Sequence, residues 1–81
     1  MYTIVKAGSG GLETQVRQVV ARRHREGRRL PEYILAPDLV GRAPMHVDGF
    51  LVMGSRMVAA GALCLVTFGE RAGVRFEGTV N

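Results

Sequence analysis

The sequence predicts an α+β fold, one amphipathic helix packed on a mainly antiparallel sheet in the order β-α-β-β-β-β. Three observations carry that expectation. A β-prone run, Tyr2-Thr3-Ile4-Val5, is closed by Gly8-Ser9-Gly10-Gly11. From Leu12 the apolar residues Leu12, Val16, Val19 and Val20 recur at helical spacing. The second half of the chain, Val47 to Val80, consists of short apolar stretches separated by glycine.

The helix begins at Leu12, where Glu13 in the first turn complements the helix dipole, and Gly27 is its natural stop. On a helical projection Arg17, Arg22, His24 and Arg25 fall outside the apolar stripe. Arg23 falls near the stripe in its last turn, where its stem can pack while its head reaches water. Glu32 to Ala36 reads as the second strand, ended by Pro37, and Asp38 to Met45 as a loop with one helical turn at Asp38-Leu39-Val40.

The remainder reads as an antiparallel meander. Gly54-Ser55 has the composition of a type II′ turn, pairing Met53 with Arg56, Val52 with Met57 and Leu51 with Val58. A second turn over Gly69 to Gly73 sets Phe68 against Val74, Val66 against Phe76 and Ala62 against Val80. One face then carries Ala62, Cys64, Val66, Phe68, Val74, Phe76 and Val80 and takes the helix. Leu63 and Leu65 fall on the opposite face beside Thr67, Arg75, Glu77 and Thr79, more apolar than a solvated face needs, which marks them as a candidate partner or homodimer face. The rival for Met57 to Val66 is a helix, because MVAAGALCLV is rich in alanine and leucine.

At 81 residues the chain is expected to be a single domain, 1–81, with one core. Its single cysteine excludes an intrachain disulfide. The N-terminus lacks a basic region, an apolar stretch and a cleavage site, so a cytoplasmic protein is expected. Gly49 to Gly69 is long enough to span a bilayer and carries one charge, Arg56, but a buried arginine is costly and Gly54-Ser55 suggests a turn, so no membrane partner is expected.

Chemistry is sparse. A dinucleotide fingerprint starting at Gly8 would need glycine or alanine at position 13, where Glu stands. His46 and Asp48, two apart, are too few for a metal site, and Asp38 and Cys64 have no spacing that brings them in. Cys64, within Ala-Leu-Cys-Leu-Val, has no neighbouring base and reads as a small buried hydrophobe. Met1, Met45, Met53 and Met57 read mainly as gap-fillers. No catalytic residue, metal or cofactor is assigned, and the chain reads as a non-enzymatic interaction module.

One segment stands apart. Between Arg17 and Arg29 six arginines (17, 22, 23, 25, 28 and 29) face a single acid, Glu26, a local charge of +5 (six minus one); elsewhere five basic residues face six acids. Cations near a helix C-terminus are favourable by about 0.3 to 1 kcal/mol each, which accounts for two or three arginines but not for five within Ala21 to Arg29. Arg17, Arg22, Arg23, Arg25, Arg28 and Arg29 are therefore the candidate contacts for an anionic partner, nucleic-acid backbone ahead of an acidic protein surface. Thin aromatic content and a single helix argue against base reading. The alternative is a small inhibitor or adaptor of the kind encoded by phages and mobile elements, for example an anti-defence protein, which binds a host protein or nucleoprotein complex.

Overall fold

A computed structural model describes residues 2–6 and 10–68. It contains β1 (Tyr2–Lys6), α1 (Leu12–Arg25), β2 (Tyr33–Ala36), a 3₁₀ turn (Pro37–Leu39), β3 (Met45–Val47), β4 (Phe50–Gly54) and β5 (Ala62–Val66). The class and the order β-α-β-β-β-β are those the sequence predicts.

The strands form one sheet in the order β1-β5-β2-β4-β3. β5 lies antiparallel to both β1 and β2, so β1 and β2 run parallel with β5 inserted between them. β2 and β4 are parallel, with Tyr33 opposite Leu51 and Ala36 opposite Gly54, and β3 returns antiparallel to β4. The sheet is thus mixed, and its connections differ from a meander.

Two assignments change. The hairpin turn is Asp48-Gly49, joining Val47 to Phe50; both turn residues have positive φ, 51° and 84°, as a type I′ turn requires. Gly54 instead ends β4 beside the 3₁₀ turn, where any Cβ would overlap the backbone of Leu39 and Val40. Glycine is required there for close backbone approach. Met53 pairs with Leu35 rather than Arg56 and Val52 with Ile34 rather than Met57, and the Ser55 N–H donates to the Ala36 carbonyl at 3.2 Å. The stretch Met57 to Val66 is a connection followed by a strand, not a helix. The expected turn at 69–73 and strand to Val80 lie outside the described residues.

The second change concerns the faces of the sheet. Val16 of α1 is fully buried against Ile34, Ala36, Val52, Leu63 and Leu65, with Leu12, Val19 and Val20 around it. Leu63 and Leu65 therefore form the floor beneath the helix, at 1% and 0% exposure, and are not a partner or dimer face. Ala62, Cys64 and Val66 turn to the other side, with Leu35 and Val58, and Tyr2, Tyr33, Met53 and Phe68 pack against them. Both hydrogen-bonding edges of β5 are occupied, by β1 and β2, where the meander would have given them to 57–58 and 74–80.

Among the described residues, no helix is long and apolar enough to cross a membrane. The apolar stretch from Gly49 is divided between β4 and β5.

Candidate nucleic-acid interface

The geometry of the arginine segment follows from how α1 ends. Glu26 caps the helix and Gly27 takes the left-handed conformation, φ 67°. The Gly27 N–H donates to the His24 carbonyl at 3.1 Å and the Arg28 N–H to the Arg23 carbonyl at 2.9 Å. This is the Schellman pairing, in which glycine carries the positive φ and two otherwise orphaned carbonyls are satisfied. It reverses the chain so that Arg28 and Arg29 come back beside the last turn of the helix.

The six arginines then separate into three environments. Arg23 points to the sheet side and is 7% exposed. Its guanidinium turns back rather than reaching water: Nε and Nη2 both donate to the Arg29 carbonyl, at 2.9 and 2.6 Å. This pins the segment after Gly27 against the helix and removes Arg23 from the outer surface. Burial lowers its pKa from the ordinary arginine value, and the charge of Arg28, brought close by the Schellman turn, lowers it further against the opposing pull of Glu26.

Arg17, Arg28 and Arg29 remain exposed but have carboxylates nearby. Arg17 donates through Nε to Asp48 Oδ1 at 3.2 Å and through Nη2 to Glu13 Oε2 at 3.5 Å, so the β3–β4 turn contacts the helix. Arg28 lies 3.8 Å from Glu26 and Arg29 3.9 Å from Glu32. Half-exposed pairs of this length are worth roughly 0 to 1 kcal/mol and open readily for a competing anion.

Arg22 and Arg25 are exposed and form no ion pair among the described residues. With Arg17, Gln18 and Ala21 they line a shallow cleft on the outer face of α1. The spacing explains it: residues 17, 21 and 25 form one i, i+4 row and 18 and 22 the next, and Ala21 leaves a depression between the longer side chains. Eight residues of helix separate Arg17 from Arg25, about 12 Å. A row of guanidiniums along an open groove can bind a chain of phosphates; it has no depth for a base.

The other candidates fall elsewhere. His46 lies on edge strand β3, while Asp48 is a turn residue held by Arg17. Among the described residues no group of three or more His, Cys, Asp or Glu side chains could hold a metal. Cys64 is buried on the central strand, and burial pushes its thiol pKa up, away from a nucleophile's range. At the start of α1, Glu13 stands in the first turn and Gly10 has φ 122°; the Gln15 side-chain amide donates to the Gly10 carbonyl at 3.0 Å, and no side chain caps the helix.

The sequence reading missed the role of Arg23, although its place near the apolar stripe was the signal. It also missed Lys6, whose position at the end of β1 becomes relevant only once α1 folds over that strand. No protein-family model, curated protein or solved structure matches the chain.

Proposed function

We propose that the protein is a non-enzymatic interaction module that docks the backbone of a nucleic acid on the outer face of α1. The observation that carries this reading is the cleft lined by Arg17, Arg22 and Arg25, in which two of the three guanidiniums form no ion pair among the described residues. Arg28 and Arg29, returned beside the last turn of α1 by the Gly27 turn, add positive charge at the helix end. Arginine suits this use because its planar fork donates to two phosphate oxygens at once.

Burial of Leu63 and Leu65 favours nucleic acid over a protein partner. Protein interfaces rely on an apolar centre with a polar rim. The two leucines that would have supplied that centre, for an inhibitor's target or for a second copy, lie in the core. The arginine face itself offers charge without apolar anchors, which matches contact with phosphates and little base discrimination.

The test is fluorescence anisotropy with labelled mixed-sequence duplex DNA and RNA at about 50 mM salt. Wild-type protein is expected to bind, and the double variant Arg22→Glu/Arg25→Glu to lose binding while retaining its thermal unfolding transition. No binding at low salt, or unchanged binding by the double variant, overturns the proposal.

A further inference from the structure

A second cavity lies between α1 and the end of β1. It has a volume of about 320 Å³, and its walls include Lys6, Arg22, Arg23, Arg28, Glu26 and Val19. Four cations face one carboxylate, and that carboxylate lies 3.8 Å from Arg28. Arg23 gives the site a feature that a solvated basic patch lacks. Its Nε and Nη2 are committed to the Arg29 carbonyl, whereas Nη1 is buried without an acceptor.

A buried donor on a charged group is costly to leave unmade. The segment also gathers like charges, since the Schellman turn sets Arg28 near Arg23 and Arg22 precedes Arg23 in the chain. An anion in the cavity relieves that repulsion. Size and lining narrow its chemistry: 320 Å³ is far more than one inorganic ion needs and lies at the lower end of small-molecule pockets, and Val5 and Val19 supply apolar wall beside the cationic groups. We propose that this cavity binds a phosphate monoester of mononucleotide size, the phosphate on Arg23 with Lys6 and Arg28, and the organic group against Val5 and Val19.

This site adjoins the cleft proposed for nucleic-acid backbone and shares Gln18 and Arg22 with it. Lys6 belongs to the cavity alone and Arg25 to the cleft alone, so one variant of each tests the two readings independently.

Isothermal titration calorimetry at low salt with adenosine monophosphate, adenosine and inorganic phosphate is the direct test. The monophosphate is expected to bind at one site per chain, roughly tenfold or more tighter than either adenosine or inorganic phosphate. Lys6→Ala is expected to weaken it by about tenfold, the loss of one charge-assisted contact, while leaving duplex binding intact; Arg25→Glu is expected to do the reverse. Arg23→Lys is expected to weaken the monophosphate as well, and its unfolding transition shows whether the fold has survived the change. Adenosine binding as tightly as its monophosphate, inorganic phosphate binding as tightly as the nucleotide, no heat with any of the three, or a Lys6→Ala variant with wild-type affinity each overturns the proposal.

Discussion

At the scale of single residues, the same side-chain type has acquired different roles within one helix end. Arg23 and Arg25 are two positions apart, yet one is buried on a carbonyl and the other lines an open cleft. The helical period decides this: position 23 lies on the stripe of Leu12, Val16 and Val19, and position 25 lies opposite. Arg23→Ala is therefore expected to lower stability by about 1.5 to 3 kcal/mol, because it removes two charge-assisted bonds and leaves the Arg29 carbonyl unsatisfied. Urea denaturation reads that loss as a lower midpoint, with Arg25→Ala as a near-neutral control.

Cys64 gives a second prediction at this scale. Burial raises its thiol pKa, so the neutral thiol is the folded form and the unfolded chain loses its proton first as pH rises. The native state then binds more protons than the unfolded one, and stability falls with rising pH. The contribution is fully present below the ordinary thiol range and declines above it, by at most about 1.4 kcal/mol per pH unit. Stability measured across alkaline pH is expected to show this decline in the wild type and a smaller one in Cys64→Ala.

At the scale of elements, the helix was fully legible and the sheet only in part. Four apolar residues at helical spacing, an acid in the first turn and a glycine beyond the end define α1, and it runs from Leu12 to Arg25. β5 was legible as a strand but not as to which side faces the helix. All five residues of Ala62–Val66 are buried, so no polar position distinguishes one face from the other. A strand in the middle of a sheet, covered on both sides, carries no alternation. The hairpin turn was legible in the sequence. Asp48-Gly49 between Met45-His46-Val47 and Phe50-Leu51-Val52 has the composition of a type I′ turn, whereas Gly54-Ser55 resembles a turn only because Gly54 must admit the neighbouring backbone.

Two substitutions test these elements. Leu65→Ala empties part of the floor under Val16 and is expected to cost about 2 to 5 kcal/mol, where an outward-facing leucine would cost little. Gly54→Ala places a methyl group into the Leu39 backbone and is expected to cost about 1 to 3 kcal/mol or more, read as a lower midpoint in urea. A wild-type midpoint for either variant would contradict the packing described here.

At the scale of the whole molecule, the topology disposes the charge. α1 lies on one face of the sheet, its apolar stripe closed over β2, β4 and β5 through Val16. Its other side is left to solvent with Arg17, Arg22 and Arg25 in rows. The local excess of positive charge was evident in the sequence, but its division was not. Asp48 is 31 positions from Arg17 along the chain and meets it only because the β3–β4 turn reaches the helix. Counting charges along the chain therefore overstates the free cations: one of the six arginines is internal, three have carboxylates nearby, and Arg22 and Arg25 form no ion pair among the described residues.

Neutralisation of phosphates by the outer face of α1, as proposed, is read from the salt dependence of duplex-DNA binding. Each phosphate neutralised contributes about −0.9 to the slope of log K against log salt. Wild-type protein is expected to show a slope of about −2 to −4, from Arg22 and Arg25 with partial contributions from Arg17, Arg28 and Arg29. Arg22→Ala and Arg25→Ala are each expected to reduce its magnitude by about 1. Binding with a slope near zero, or a slope unaffected by both substitutions, would overturn phosphate contact by this face.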